Sequence, residues 1–174
     1  KTKKPIIMST GMANICEIKD ATNIFLTKGY SKKEIKILHC NTQYPTPPKD
    51  ANLNAMLSIS KELGTEIGYS DHTQGIDMAI AAVAMGAKVI EKHITLDRNL
   101  DGPDHQASIE PKDFKSMSES IRRIELAKGN GIKKPSEAEL EIIKLVRKSI
   151  VAKTNIKKGD YFSNSNLIVK RPGT

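Results

Sequence analysis

Two histidines and the polar residues beside them are the first features with chemical reach. His72 stands in Tyr69-Ser70-Asp71-His72-Thr73 and His93 in Glu91-Lys92-His93-Ile94-Thr95, each stretch directly following a short apolar run. If those runs are neighbouring parallel strands, about 4.8 Å apart, the two imidazoles can share one ion. Histidine with oxygen ligands suits Mn²⁺, Zn²⁺ or Fe²⁺. Two histidines hydrogen-bonded in a polar pocket fit the same spacing, and both readings stand. No Cys-x-x-Cys or His-Glu-x-x-His occurs, so a structural zinc site has no support. Glu91 lies two residues before His93 and shares its strand face, placed either to orient a ligand or to satisfy a lysine. Two more apolar runs end in a similar way, in Ser9-Thr10-Gly11 and in His39-Cys40-Asn41-Thr42-Gln43-Tyr44. Ser9, Asn41, Thr42 and Ser70 supply neutral donors that could cradle a phosphate or carboxylate. Singly, each also reads as a turn or cap residue, as does Asp104 in Gly102-Pro103-Asp104. Cys40 has no base partner specified by sequence and reads as a buried core thiol.

The elements that must carry these residues follow from periodicity. Four short apolar runs, Pro5–Met8, Ile35–Leu38, Thr65–Gly68 and Lys88–Ile90, read as buried parallel strands. Between them apolar residues recur at helical spacing: Ile15, Ile18, Thr22, Phe25 and Leu26; then Leu53, Met56, Leu57, Ser60 and Leu63; then the small apolar stretch from Gly75 to Met85. Phe114, Met117, Ile121 and Ile124 mark a fourth helix. Each pattern closes on a glycine, Gly29, Gly64, Gly86 or Gly129, as left-handed helix stops do. The order βαβαβαβα predicts an α/β fold with a parallel sheet and right-handed crossovers. No Gly-x-Gly-x-x-Gly follows the first run, which disfavours an open dinucleotide-binding sheet. Four βα units are half of a TIM (β/α)8 barrel, whose catalytic groups sit at the C-terminal strand ends. The expectation is the C-terminal half of such a barrel over residues 1–130. A linker with a helix follows over 131–149, opened by the capping box Ser136-Glu137-Ala138-Glu139. Residues 150–174, with strands at Ile150–Ala152 and Leu167–Val169, read as the truncated start of a small β domain.

Composition narrows the class. The 174 residues are 38% hydrophobic and 28% charged, as expected of a soluble folded chain. No run of eighteen apolar residues and no signal-peptide pattern in Lys1–Ile7 is present, so no membrane partner is expected. Two cysteines, Cys16 and Cys40, do not make a disulfide scaffold, and a cytoplasmic location is the default. The net charge of +8 comes from scattered lysines, apart from clusters such as Lys1-Thr2-Lys3-Lys4, with only 4% aromatics; this is not the pattern of a nucleic-acid surface.

The ordered set of motifs resembles the sialic acid synthase family. The residues that carry it are Ile7–Met12, His39–Pro47, Gly68–Thr73, Glu91–Thr95, Gly102–Asp104 and Ile156–Gly173. The resemblance implies an eightfold barrel followed by a small antifreeze-like (SAF) β domain, of which residues 150–174 would be the start. It implies a carbon–carbon bond-forming transferase that condenses phosphoenolpyruvate with N-acetylmannosamine or a related 2-acetamido hexose, giving N-acetylneuraminate or a related nonulosonate and phosphate. It implies Mn²⁺, or another divalent metal such as Mg²⁺ or Co²⁺, on His72 and His93. Ser9 and Ser70 would hold phosphoenolpyruvate, and Tyr44 and Asp104 would contact the sugar, Asp104 also acting as a catalytic group that orients a hydroxyl. Many members carry an asparagine where this chain has Thr42, with Asn41 just before it, so either is a candidate for that phosphoenolpyruvate contact. Arg171 matches an arginine that reaches into the partner subunit's site, which implies a domain-swapped homodimer. The family's further lysine and glutamate residues match nothing here, so the isolated 174-residue chain is expected to be inactive.

A different barrel aldolase or lyase acting on a sugar aldehyde is the competing enzyme class, and a non-enzymatic antifreeze-type module the competing non-enzyme. A Schiff-base aldolase needs a lysine with a depressed pKa on a strand. Lys92 alone among the strand-end motifs is a lysine, and it alternates away from His93 toward the helices. Borohydride treatment with a sugar aldehyde present is therefore expected to leave Lys92 unmodified; an adduct by mass spectrometry would establish the aldolase.

Overall fold

The computed structural model describes residues 4–173. Lys1, Thr2 and Lys3 of the basic N-terminal cluster, and Thr174, lie outside the described residues. The chain forms two compact units, Lys1–Gly129 and Asn130–Thr174.

The first unit carries strands β1 (Ile6–Ser9), β2 (Ile35–Cys40), β3 (Glu66–Asp71) and β4 (Ile90–Lys92). They alternate with helices α1 (Ile15–Thr27), α2 (Asn54–Leu63), α3 (Asp77–Ala84) and α4 (Pro111–Ala127). The sheet runs β1-β2-β3-β4 with every pair parallel, so chain order and spatial order coincide. That is the topology of half a (β/α)8 barrel. Any four successive units of a barrel share this order; the expectation that these are the C-terminal four rests on the motifs alone.

Local chemistry accounts for the helix ends. The Asn14 side chain accepts from the backbone N–H groups of Cys16 and Glu17, while Glu17 accepts from the Asn14 N–H, a capping box that starts α1. Pro111 occupies the first turn of α4, where its missing N–H costs nothing. Gly64 closes α2 at φ 67°, and its N–H donates to the Ser60 carbonyl.

Strand alternation divides the side chains. Ile35, Ile37, Ile67 and Tyr69 point toward the helices and pack with Ile18, Met56, Ile59 and Leu63 in a dry core. Ala79, Ile109 and Met117 form a smaller cluster in which α3 and α4 meet. The alternate residues Leu38, Gly68, Ser70 and Glu91 face the other side of the sheet, the interior of a barrel. The strands run further than their apolar runs: His39 and Cys40 still pair on β2, Tyr69 to Asp71 on β3, and Glu91 and Lys92 on β4. These polar residues are the last rungs of a ladder rather than loop residues, because parallel pairing persists while a neighbouring strand remains to bond.

The second unit holds α5 (Glu137–Val146) and an antiparallel pair, β5 (Ser149–Ala152) with β6 (Leu167–Lys170). The capping box expected at Ser136 is present: Ser136 N–H donates to Glu139 at 2.8 Å, and Glu139 N–H to the Ser136 hydroxyl at 3.3 Å. Arg171 Nε donates to the Val146 carbonyl at 2.8 Å and ties the end of β6 to the end of α5.

Gly68 shows how tightly the interior face is fitted. A Cβ there would collide with the Leu38 side chain and lie 2.6 Å from the Val89 carbonyl oxygen. Leu38 can shift, but the backbone cannot follow without disturbing the sheet. Gly68→Ala is expected to destabilise the full-length protein by about 1–3 kcal/mol in denaturant unfolding; an unchanged midpoint would show that the sheet yields at this point.

Candidate functional site

The register of β3 with β4 builds the site. Ser70 pairs with Glu91 and Asp71 with Lys92. The next residue along each chain is a histidine, so His72 and His93 emerge side by side. Their ring centroids lie 5.7 Å apart with the planes at 80°. Tyr44, from the loop after β2, covers both rings, with centroid distances of 4.2 Å to His72 and 4.7 Å to His93. That loop is stitched to the site: Thr46 N–H donates to the His72 carbonyl at 2.8 Å, and the Thr46 hydroxyl to the Gln43 carbonyl at 2.7 Å.

Hydrogen bonding orients His72. Its Nδ1 lies 2.6 Å from the Asn41 carbonyl oxygen. A carbonyl only accepts, so Nδ1 carries the hydrogen, and in the neutral ring Nε2 holds the lone pair. Nε2 faces the Ser70 hydroxyl at 3.3 Å, and that hydroxyl donates to Glu91 Oε1 at 2.6 Å. Serine has one proton and two acceptors compete for it, so Nε2 is left with a lone pair that the hydroxyl does not satisfy. An imidazole held through one nitrogen by a carbonyl, with the other nitrogen available, is the arrangement metal-bound histidines use. Among the described residues no three His, Cys, Asp or Glu side chains close on one point. The residues that could hold a divalent cation are therefore His72 and His93, and two imidazoles suit a borderline ion with further positions for oxygen ligands.

Asp104 approaches from the loop after β4. Its Oδ2 lies 3.8 Å from His93 Nδ1, an electrostatic neighbour rather than a hydrogen-bond partner. The turn at Asp104 is built by its backbone carbonyl, which accepts from the Ser108 N–H and hydroxyl, and its carboxylate caps no helix. Tyr44 has its hydroxyl buried with no hydrogen-bond partner. Burial, followed by the Asp104 charge, pushes the Tyr44 phenol well above the ordinary tyrosine range. It stands beside two imidazoles as a protonated, unspent donor.

The other sequence candidates lie as follows. Ser70 is buried at the centre of the site. Ser9 is exposed at the end of β1, in register with Leu38 of β2. Asn41 contributes its backbone carbonyl to His72, whereas its side chain holds the loop: Nδ2 donates to the Asp50 carbonyl at 3.1 Å and Oδ1 accepts from Gln43 N–H at 2.8 Å. Thr42 is exposed, its methyl group resting over Gly11. Cys40 is buried, its Sγ 3.9 Å from His72 Nδ1. Arg171 belongs to the second unit. The reading of the sequence did not foresee that Asp71 and Lys92 form an ion pair at 2.9 Å, buried behind the histidines. The signal was present as opposite charges at equal distances before the two histidines, and it becomes legible once both strands are extended to their true ends. Lys92 Nζ also donates to the Thr73 carbonyl at 2.7 Å, so it faces away from His93 with two of its three hydrogens committed. Two cavities of about 610 and 650 Å³ lie elsewhere, one between α3, β4 and α4 and one between α1 and α2, and neither is lined by His72 or His93.

Comparison with known proteins gives the family of the chain. Residues 1–133 match the model of the NeuB family. The chain is 52% identical over 172 residues to an N,N'-diacetyllegionaminic acid synthase of Campylobacter jejuni, a match covering 99% of this chain and 52% of that protein. It is 45% identical to an N,N'-diacetyllegionaminic acid synthase of Legionella pneumophila, over 99% of this chain and 49% of that one. A crystal structure of an N-acetylneuraminic acid (sialic acid) synthetase from Leptospira borgpetersenii, in complex with citrate, superposes with a TM-score of 0.70 at 41% identity. That superposition covers 79% of this chain and 47% of the other. The chain thus spans about half the length of the curated relatives it matches.

The buried Tyr44 hydroxyl sets a pH expectation. A phenol raised by burial is stable in the fold below the ordinary tyrosine value of about 10, and stability is lost as pH climbs beyond that value. In the folded full-length protein, Tyr44→Phe is expected to leave the tyrosinate absorbance gained between about pH 9 and 11 unchanged. Loss of one tyrosine's amplitude would show that the hydroxyl meets solvent.

Proposed function

Because the chain belongs to the NeuB family, we propose that the full-length protein is a nonulosonate synthase, condensing phosphoenolpyruvate with an acetamido hexose in its open-chain aldehyde form. The observation that carries this reading is the gathering of Tyr44, His72, His93 and Asp104 at the C-terminal ends of β2, β3 and β4. The reaction joins carbon 3 of phosphoenolpyruvate to the aldehyde carbon, adds water at carbon 2, and releases phosphate by C–O cleavage.

His72 and His93 would hold the divalent metal, Mn²⁺ or another such as Mg²⁺ or Co²⁺. Bound there, the metal supplies Lewis-acid polarisation of the aldehyde carbonyl. The chain's own residues bind and orient. Ser9 offers its hydroxyl to the phosphate or carboxylate of phosphoenolpyruvate, Ser70 can do so by turning its one proton from Glu91 to the ligand, and the exposed Thr42 hydroxyl and the remaining amide hydrogen of Asn41 are further donors on that side. The buried Tyr44 hydroxyl donates to a sugar oxygen and so gains the partner it lacks within the protein. The Asp104 carboxylate, free of structural hydrogen bonds, accepts from a sugar hydroxyl and fixes the sugar's orientation. Until a ligand takes that proton, Glu91 accepts it from Ser70 and so leaves Nε2 of His72 with its lone pair.

The relatives named for N,N'-diacetyllegionaminic acid favour a diacetamido hexose over N-acetylmannosamine, since a product with two acetamido groups requires a sugar that already carries both. In the domain-swapped homodimer of this reading, Arg171 of one subunit serves the other's site through its Nη groups, Nε being spent on Val146. Residues 150–174 would then open the antifreeze-like domain, and the protein acts in the cytoplasm.

Phosphate release tests the assignment. Full-length protein with Mn²⁺, phosphoenolpyruvate and each sugar in turn is expected to release phosphate, faster with the diacetamido hexose. His72→Ala and His93→Ala are each expected to bring release down to that of the enzyme-free control. Undiminished release in both variants would reject the histidine site.

A further inference from the structure

We propose that the Asp71–Lys92 ion pair is a positioning clamp that fixes the separation of His72 and His93 for a shared divalent cation. The inference rests on the reading of those histidines as a metal site. Asp71 and Lys92 form the last paired rung between β3 and β4, each directly preceding one of the histidines. Alternation turns their side chains to the helix face of the sheet while the histidines project to the other face. The pair is cut off from water, with side-chain exposures of 0% for Asp71 and 3% for Lys92.

Its bonds reach both sides of His72. Lys92 Nζ donates to Asp71 Oδ2 at 2.9 Å and to the Thr73 carbonyl at 2.7 Å. Asp71 Oδ1 accepts from the Thr73 N–H at 2.9 Å and from the Thr73 hydroxyl at 2.7 Å. The residues before and after His72 are thereby tied to the one residue that precedes His93. The tie falls where the ladder is weakest, because β4 is three residues long and its pairing with β3 stops at this rung. On its far side His93 is anchored through Ile109 N–H to its carbonyl at 3.0 Å. A buried ion pair contributes little net stability compared with apolar residues of similar size. Stability alone therefore does not account for two charges here, whereas holding two ligand-bearing strand ends in one register does.

The test uses Mn²⁺ and the full-length protein in its wild-type, His72→Ala, Lys92→Met, Asp71→Asn and Asp71→Asn/Lys92→Met forms. Free Mn²⁺ is counted by electron paramagnetic resonance, coordinated imidazole nitrogen by spin-echo modulation, and folding by circular dichroism. Wild type is expected to bind Mn²⁺ with two imidazoles and His72→Ala with one at most. Lys92→Met is expected to bind about 10–100-fold more weakly and to lose the modulation of one imidazole. The double variant leaves no unpaired buried charge and is expected to fold and show the same loss, which a general effect on stability would not produce. Wild type without imidazole-bound Mn²⁺ would overturn the metal reading, and the clamp with it. A wild type with two imidazoles on Mn²⁺ and a folded double variant of equal affinity and modulation would overturn the clamp alone. A set in which none of the clamp variants folds would assign the pair to folding and overturn the proposal as well.

Discussion

Everything at this site depends on the parallel register between β3 and β4. Parallel strands advance together, so residues that follow equivalent rungs emerge at equal height, and alternation sends neighbours to opposite faces. One register therefore assigns two tasks. Ser70 and Glu91 meet on the interior face with His72 and His93 above them, and Asp71 meets Lys92 on the helix face. A slip of one residue would exchange the faces, burying imidazoles against the helices and turning an ion pair toward the interior.

The loops add to this platform without carrying it. The segment after β2 supplies Tyr44 as a lid over both rings and the Asn41 carbonyl as the fixed acceptor for His72. It is held by the Asn41 amide, which reaches across to Asp50, and by Thr46, whose hydroxyl bonds back to Gln43 and whose N–H bonds to the His72 carbonyl. The segment after β4 brings Asp104 with its carboxylate unused by the turn it helps to form. Rigid strands set where the imidazoles stand, and short hydrogen-bonded loops bring Tyr44 and Asp104 beside them.

Much of this was legible in the residues. Short β-branched runs and helical spacings located all four βα units, and Gly64 and Gly29 stop their helices in the left-handed region, as expected from their positions. The two histidines, Tyr44 and Asp104 were identifiable as strand-end groups, and the structure brings them together. What escaped reading was long-range pairing. The apolar runs suggested that β3 ends at Gly68, whereas its ladder continues through Asp71, because a polar residue stays in a strand for as long as its backbone partners do. The bond between Ser70 and Glu91 and the ion pair behind it follow from that extension. The use of Asn41 through its carbonyl rather than its side chain has no sequence signal, since every residue carries that group.

Gly68 sets what lies beneath the polar groups of the site. Because β3 contributes no side chain at that level, hydrocarbon from Leu38 and Val89 closes over it from either neighbour. The layer above belongs to Ser70 and Glu91, so an oily floor lies one storey beneath the polar groups. At the level of Gly68 the interior face thus presents hydrocarbon, and the hydroxyl, carboxylate and imidazole groups of the site all stand above it.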